Sequence, residues 1–492
     1  MKGLKFKTQY FMFQYIDSKK EAMRKVDTAW LRMESPHNLM MITGLMFLDT
    51  QPELATFIEV LEKKFLKYRR FKQLALQNAS GSYWKTDEYF DMAAHVRRVA
   101  LPGKADYREL QDYVSNLAST PLDKNKPLWS FHIVENYAKG PVIVSRIHHC
   151  YADGIALIQV LLSMTSTTRE NSVLLDHKES NKEKHQKLGL LKQVINPAKK
   201  QFNQSLKMLN EATELGKKIW QDPSLIEKGV GGSVEIMEEL FHALTLSNDP
   251  ESVFKSDLCT RKRVAWAESL PLDEVKAISK ATGTSVNDVL ISNLAGALRE
   301  YMIERGDDPN EKEIRATVPV NLRPLKHAKE LGNHFGLVFL KLPVHEANPL
   351  KRLALVHQEM NELKSSKQAL VALGLLSMVG LAPQAIQNVL LNQFSKKASA
   401  VLTNVPGPQV PLYIAGCKIE KTMFWVPQNG TIGMGISILS YNGNVEFGLI
   451  VDKNLVPQPH DVIAKFPSQF SMLKEIMMLH PWDGEVHAEL LG

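Results

Sequence analysis

The segment His148-His149-Cys150-Tyr151-Ala152-Asp153-Gly154 decides how this chain is interpreted, because it forms the pattern HHxxxDG. Two adjacent histidines are followed by a three-residue spacer and an Asp-Gly pair. The segment follows the β-branched run Val142–Val144 and precedes the apolar run Ile155–Leu162. This order predicts a sharp connection from a strand to a helix, where a catalytic base would be displayed.

The histidine pair suits proton transfer. Imidazole is the side chain best matched to taking a hydroxyl proton near neutral pH, as acyl transfer from a thioester to an alcohol requires. Neighbouring residues near a strand end point in different directions, so only one histidine can face the substrates. We assign the general base to His149 and expect His148 to pack or to fix the loop. A surface or core role without catalysis is the alternative for such a pair.

The Asp-Gly pair is expected to shape the connection. Asp153 either caps the helix that follows or pairs with an arginine from elsewhere in the chain. Arg323, which follows a strand-like run, is the arginine that we predict to pair with Asp153, and a solvated arginine is the alternative. Gly154 is expected to let the backbone turn tightly. Asp-Gly by itself is typical of a turn.

Composition narrows the possible partners. The chain has 492 residues, enough for two or three core-forming units, and its net charge of +7 suits anionic phosphates or an anionic membrane surface. No block of lysines and arginines alternates with aromatic residues, so nucleic acid is not an expected partner. Cys150, Cys259 and Cys417 lack the spacing of a disulfide framework or a metal site, so no metal is predicted. Cys150 as a nucleophile beside His149 is the less favoured mechanism.

The predicted organisation has four parts. Residues 1–25 form an N-terminal extension, 26–172 a first domain that carries HHxxxDG, 173–230 a linker, and 231–492 a second domain. The linker has helical apolar spacing with lysines from Lys192 to Lys218, which predicts a basic amphipathic segment. It either braces the two domains, the preferred interpretation, or lies on an anionic membrane.

Two features bear on membranes. The N-terminus lacks the apolar core of a signal peptide. The longest apolar stretch, Ala369 to Ala382, is shorter than the roughly 20 residues that a spanning helix needs. We expect a buried or interfacial helix there.

Local patterns in the second domain predict its elements. Ser285 followed by Asp288 resembles a capping box at a helix start. The predicted helices lie near Leu272–Thr282 and Val286–Tyr301, and the predicted strands near Ala316–Val320, Leu337–Leu342 and Val445–Val451.

Further motifs accompany HHxxxDG in a fixed order. They are Asp27-Thr28-Ala29-Trp30-Leu31, Glu34-Ser35-Pro36, Phe90-Asp91, His95-Val96-Arg97, Pro127-Leu128-Trp129, Asn287-Asp288, Asn321-Leu322-Arg323-Pro324, Gly332-Asn333, Asn404-Val405-Pro406-Gly407-Pro408 and Ser440-Tyr441-Asn442-Gly443. From about Val26 to near the C-terminus, the ordered set resembles the bacterial wax ester synthase/diacylglycerol acyltransferase family. HHxxxDG alone is shared by a wider superfamily.

The resemblance implies an α/β fold of two chloramphenicol-acetyltransferase-like domains, joined by a helical linker, with a tunnel between them and HHxxxDG midway along it. It implies acyl-CoA as a substrate, no cofactor and no metal, a long-chain alcohol or diacylglycerol as acceptor, and the second histidine, His149, as base. Residues expected to bind substrate or support the site are Pro127, Leu128, Trp129, Asn287, Asp288, Arg323 and Asn404.

The expected location is the cytoplasm, with peripheral attachment to the inner face of the membrane or to lipid droplets. Two alternatives stay open: another HHxxxDG acyltransferase, of the condensation or polyketide-lipid type, and a non-catalytic lipid-binding relative. The chain departs from the family in having residues before Met23, which we predict to be dispensable, and in Cys150 and Tyr151, where smaller residues are frequent.

Overall fold

The computed structural model describes residues 20–78, 81–174, 187, 189, 246–321, 331–333, 335–365 and 384–479. Arg323, the basic segment Lys192–Lys218 and the apolar stretch Ala369–Ala382 lie outside these residues. The expectations placed on them therefore stay predictions.

The described elements before residue 175 are β1 (Lys20–Ala22), α1 (Lys25–Met33), β2 (Met41–Leu48), α2 (Leu54–Val60), β3 (Gln73–Asn78), β4 (Gly81–Thr86), β5 (Val96–Val99), α3 (Tyr107–Ala118), β6 (Trp129–Val134), β7 (Val142–His148), α4 (Gly154–Met164) and α5 (Arg169–Val173). A π-helical turn, Leu61–Phe65, extends α2, and short 3₁₀ turns lie at Arg69–Lys72 and Met92–Ala94.

The described elements after residue 245 are β8 (Lys262–Trp266), β9 (Leu270–Pro271), α6 (Leu272–Ala281), α7 (Val286–Glu304), β10 (Ile314–Asn321), β11 (Phe335–Leu342), α8 (Pro349–Ser365), α9 (Gln384–Ser395), β12 (Ala400–Pro406), β13 (Leu412–Ile414), β14 (Cys417–Trp425), β15 (Met434–Tyr441), β16 (Asn444–Asp452), α10 (His460–Ile463) and α11 (Lys465–Leu479). The helices and strands predicted in this half are confirmed, with ends that differ by a few residues.

Two large sheets organise the fold. The first sheet has the order β13-β14-β2-β7-β6-β5, and the second has the order β11-β10-β12-β15-β16-β8, with β9 paired to β16. In the first sheet β7 lies between β2 and β6 and is buried along nearly all its length, which explains its apolar run. Leu294 of α7 and Phe466 and Leu473 of α11 belong to the apolar core of the second sheet.

The first sheet takes two strands from the far end of the chain. β14 pairs antiparallel with β2, with Thr43 opposite Trp425, and β13 pairs with β14. This finding amends the predicted second domain, because residues 412–425 complete the sheet that carries HHxxxDG. A strand placed against β2 covers an edge that would otherwise present unpaired backbone groups.

The end of the predicted N-terminal extension is structured. Lys20–Ala22 forms β1, which pairs with β4 in a small sheet of order β1-β4-β3. Glu21 also pairs with Arg70 at 2.9 Å. The expectation that the extension runs to residue 25 therefore needs correction, because residues 20–22 belong to this sheet and Lys25 already begins α1.

Helix α3 links the two halves. Its Ser115 hydroxyl accepts a hydrogen bond from the backbone amide of Val264 at 3.0 Å, and the Ser119 hydroxyl just beyond it accepts one from Lys262 at 2.8 Å. Both acceptors satisfy amides of β8, the last strand in the order of the second sheet. The two halves are thus held against each other where α3 meets β8.

Candidate active site

The HHxxxDG segment forms the predicted connection, since β7 ends at His148 and α4 begins at Gly154. The backbone amide of His149 donates to the carbonyl of Met40 at 2.7 Å, and the amide of Tyr151 donates to the carbonyl of His148 at 3.1 Å. These bonds turn the chain sharply away from the sheet and fix the position of both histidines.

The His149 ring is enclosed by aromatic side chains from both halves. Trp30 of α1 stacks on it with ring centres 4.0 Å apart and planes 18° apart, and Phe335 of β11 lies 5.7 Å away. Burial lowers the pKa of His149 to about 4, although the charge of Asp153 acts in the opposite direction. The imidazole is therefore neutral at pH 7. A neutral ring is the form that accepts a proton.

The His148 ring holds the loop. Its Nδ1 accepts a hydrogen bond from the amide of Cys150 at 3.1 Å, and Nε2 lies 3.2 Å from Oε2 of Glu34. Burial acts to raise the pKa of Glu34, but hydrogen bonds and attraction from His148 and Lys124 outweigh it and lower that pKa to about 2. An amide can only donate, so Nδ1 of His148 is the acceptor in this bond and is already occupied. Of the two histidine rings, His148 is therefore the one that holds the loop in place.

Asp153 caps α4. Its Oδ1 accepts a hydrogen bond from the amide of Ala156 at 2.9 Å, and the side chain is buried. Capping was one of the two roles considered for this aspartate. Pairing with Arg323, the other role, stays a prediction because Arg323 lies outside the described residues.

Gly154 does not have the role expected for it. Gly154 is the first residue of α4, and its φ is not positive. The turn itself therefore does not require glycine. No described atom lies within 4 Å of the position that a Cβ would take. The absent side chain therefore leaves room beside the loop.

The spacer residues are structural. Cys150 is fully buried, and burial raises the pKa of its thiol well above the ordinary value, so the thiol stays protonated. The Tyr151 hydroxyl donates to the carbonyl of Gln73 at 2.6 Å and accepts from the amide of Leu128 at 3.0 Å. A smaller residue at 151 would leave that amide unpaired in the core.

The Pro127–Trp129 motif lies directly beneath the loop. The carbonyl of Leu128 accepts the amide hydrogen of His148 at 2.9 Å, and the carbonyl of Pro127 accepts that of Trp129 at 2.8 Å. The Trp129 indole donates to the carbonyl of Phe71 at 2.8 Å. These contacts show structural support for the histidine pair.

Two motifs of the second half also meet. Nδ2 of Asn404 donates to Oδ1 of Asn287 at 2.9 Å on an exposed surface. Asp288 forms the predicted capping box with Ser285, and its Oδ2 lies 2.7 Å from Nδ1 of His357. Asp288 is therefore held by its own helix start and by His357, whereas the Asn287–Asn404 pair is exposed.

Sequence reasoning did not assign site roles to Asp27, Trp30, Glu34 and Asn333. Nδ2 of Asn333 donates to Oδ1 of Asp27 at 2.8 Å and to the carbonyl of His149 at 2.9 Å. Burial raises the pKa of Asp27 to about 6, opposed mainly by the hydrogen bond from Asn333. One signal was present, because residues 27, 30 and 34 are spaced to share one side of a helix.

Comparison with known proteins agrees with this arrangement. Residues 23–290 match the wax ester synthase/diacylglycerol acyltransferase catalytic domain, and residues 331–474 match the C-terminal domain of the same proteins. This chain belongs to the wax ester synthase/diacylglycerol acyltransferase family. It is an O-acyltransferase, and the matched region begins at Met23, as predicted.

Relatives match over nearly their whole length. The O-acyltransferase WSD of Acinetobacter baylyi is 26% identical over 471 residues, covering 92% of this chain and 97% of the relative. The probable diacylglycerol O-acyltransferase tgs2 of Mycobacterium tuberculosis is 25% identical, covering 92% and 99%. The long coverage means that both halves of the chain are shared with these proteins.

Solved structures show the fold. The wax ester synthase/diacylglycerol acyltransferase of Marinobacter aquaeolei VT8 is similar with a TM-score of 0.63 at 23% identity, covering 93% of this chain and all of that one. A starter condensation domain of rhizomide synthetase in complex with C8-CoA and Leu-SNAC has a TM-score of 0.54 at 12% identity, covering 96% and 98%. The predicted two-domain, chloramphenicol-acetyltransferase-like α/β class is confirmed.

No helix in the described ranges combines the length and apolar character needed to traverse a bilayer. In the same ranges, no three or more His, Cys, Asp or Glu side chains gather as metal ligands would.

Proposed function

We propose that this enzyme transfers the acyl group of acyl-CoA directly to the hydroxyl of a long-chain alcohol or of diacylglycerol, with His149 as general base. The observation that carries the proposal is the state of His149. Its ring is neutral, and its backbone is bonded to both halves of the chain. The alternative nucleophile, Cys150, keeps its proton at neutral pH.

In the proposed step the imidazole takes the acceptor's hydroxyl proton as that oxygen attacks the thioester carbonyl. The tetrahedral intermediate then collapses, the carbon–sulfur bond breaks, and the CoA sulfur takes the proton from the imidazolium. Asp153 favours the imidazolium, since its charge acts to raise the pKa of His149. General-base assistance of this kind is worth about 10²–10⁴-fold in rate.

We infer that the two substrates approach His149 from opposite sides, along a tunnel between the halves. Trp30 and Phe335, one from each half, enclose the ring, and the space beside Gly154 is not filled by described atoms. The relatives include proteins named as diacylglycerol acyltransferases, and the condensation-domain neighbour holds C8-CoA. Acyl-CoA is a substrate in this proposal, and no step of the proposed reaction uses a metal or a cofactor.

We further propose peripheral attachment to the cytoplasmic face of a membrane or to lipid droplets, because both acceptors partition into lipid. The candidate contacts are the basic segment Lys192–Lys218 and the apolar stretch Ala369–Leu391. Sedimentation with anionic liposomes should show binding that weakens as salt screens the lysines. Protein that stays in the supernatant at low salt would contradict this attachment.

The decisive assay measures CoA release by the purified full chain with an acyl-CoA and either hexadecanol or diacylglycerol. His149→Ala should lose about 10²–10⁴-fold in turnover while its circular dichroism is unchanged. Cys150→Ala is the matched control and should stay active. An inactive Cys150→Ala protein that is folded, or an acylated Cys150 after incubation with acyl-CoA alone, would replace direct transfer with a covalent mechanism.

A further inference from the structure

The Asn333 side chain joins three parts of the molecule at one amide. Nδ2 donates to Oδ1 of Asp27 at 2.8 Å and to the carbonyl of His149 at 2.9 Å, and the backbone amide of Asn333 donates to the same Oδ1 at 3.2 Å. Asn333 and Asp27 are both buried, with 4% and 0% of their surface exposed. At this depth, each of these bonds is costly to lose.

The chemistry fixes which way the amide points. Both neighbours of Nδ2, a carboxylate oxygen and a backbone carbonyl, can only accept, so the NH₂ group must face them. A rotated amide would set its oxygen against two other oxygens. Asn333 is therefore suited to this position because its one amide nitrogen supplies two hydrogens. An ionised aspartate has nearly the same shape but supplies no hydrogen.

The backbone beside Asn333 is matched to the same contact. Gly332 has φ of +110°, and a Cβ placed there would lie 3.6 Å from Oδ2 of Asp27 and 3.4 Å from Nη1 of Arg24. Its amide donates to the carbonyl of Tyr151 at 3.1 Å, and its carbonyl accepts from the amide of Asp153 at 3.3 Å. The segment thus lies against Tyr151, Ala152 and Asp153 of HHxxxDG.

We propose that Asp27 and Asn333 are positioning residues that aim the His149 imidazole by holding its backbone carbonyl. The inference rests on the proposed role of His149 as base. Neither residue needs to touch substrate. Asp27 holds the Asn333 amide, and the amide holds His149.

Helix α1 therefore holds His149 in two ways, through Asn333 at its backbone carbonyl and directly at its ring. Asp27 reaches the carbonyl of His149 through Asn333, and Trp30, one turn further along the same helix, stacks on the ring. On the other side, Met40 accepts the amide hydrogen of His149. Loss of the carbonyl contact leaves the ring free to shift, and a displacement of about 1 Å can cost about 10²-fold in rate.

The first test is Asn333→Ala in the full chain. We expect kcat to fall about 10- to 100-fold, with the KM for acyl-CoA nearly unchanged, because the base is misplaced and the binding surfaces remain. The matched control is Asn136→Ala, since Asn136 also bridges backbone groups, at Leu101, and lies in a different loop. That control should keep kcat. Equal losses in both variants, or an unchanged kcat in Asn333→Ala, would overturn the proposal.

An exchange of the two side chains separates positioning from simple joining of the halves. The double variant Asp27→Asn with Asn333→Asp restores a hydrogen bond between residues 27 and 333 but offers His149 no donor. We expect Asn333→Asp alone to lower both Tm and kcat, and the exchange to recover Tm while kcat stays low. Recovery of kcat together with Tm would show that residues 27 and 333 only join the two halves of the chain. That result would overturn the proposal.

His149→Ala, measured in parallel, distinguishes a failure of the proposed function from a failure of the positioning role. If His149→Ala is folded and retains full turnover, the proposed function fails. If His149→Ala is inactive while folded Asn333→Ala has normal kcat, only the positioning role fails.

Discussion

Helices α4 and α7 both begin with a side-chain cap, but their first turns have different surroundings. Asp153 caps the first helix through the amide of Ala156, and Asp288 belongs to the capping box of the second with Ser285. Around Asp153 the chain is bonded to residues of both halves, whereas the contacts of Asp288 stay within the second half, at His357. A cap is a local property, and a reactive site needs neighbours from distant parts of the chain.

The largest expected effect comes from pH, because it acts on His149, the buried base beside the first cap. Burial lowers the pKa of His149 from 6.5 to about 4, so the ring is neutral above that value and becomes protonated below it. We expect kcat/KM to fall about tenfold per pH unit below about pH 4, since this parameter reports on the free enzyme. Circular dichroism at each pH limits the profile to folded protein.

The stability of the fold should follow the same shift. Between about pH 6.5 and 4 the unfolded chain binds a proton at His149 that the folded chain does not, so His149 lowers stability as pH falls through this window. Asp27 acts in the opposite direction, because its pKa, raised to about 6, lets the folded chain bind a proton that the unfolded chain has released. Asp27→Asn removes this opposing effect, so the decline is to be measured in that variant. An activity limb near pH 6.5 that persists in Asp27→Asn would contradict the buried, neutral state of His149.

The two caps can be compared by removing each one. Asp153→Ala and Asp288→Ala should each lower the free energy of unfolding by about 0.5–2 kcal/mol, the usual cost of a lost cap. Only Asp153→Ala should also lower kcat strongly, because its cap fixes the loop that carries His149. Urea unfolding and turnover per folded molecule measure the two effects. Equal losses of kcat would mean that α7 acts in the reaction as directly as α4.

A smaller effect is expected at the spacer. Cys150→Ala removes a buried sulfur and should cost about 1 kcal/mol of stability through the cavity that it leaves. Turnover by the folded fraction should be close to that of the unchanged enzyme. The result is checked by comparing Tm with CoA release in the same preparation, and a dead but folded protein would count against the structural role of this residue.

The smallest effect is expected on the exposed surface of the second half. Asn287→Ala removes the partner of Asn404 there, so stability should change by less than about 0.5 kcal/mol. If the pair contacts a substrate, kcat/KM should fall about two- to tenfold, the value of one hydrogen bond. An unchanged kcat/KM would leave Asn287 with a structural role alone.

Several features could be predicted because they depend on neighbours in the chain. The strand before His148, the helix after Asp153 and the capping box at Ser285 follow from apolar spacing and from side chains that bond to amides three residues away. The partner of Asp27 could not be found this way, since Asn333 is 306 residues distant. The same limit explains why β13 and β14 could not be placed in the sheet that carries HHxxxDG from the sequence, since their partner β2 lies far away along the chain.

By itself, the sequence determined which chemical groups are present, where the helices begin and which family the chain resembles. The family resemblance follows from the order of the motifs, and each motif consists of residues that are adjacent in the chain. Only the tertiary structure decided the state of those groups. Burial against Trp30 and Phe335 sets the pKa of His149, and the contact with Glu34 separates the role of His148 from that of its neighbour. Desolvation and hydrogen bonding depend on what surrounds an atom in space, which adjacent residues do not specify.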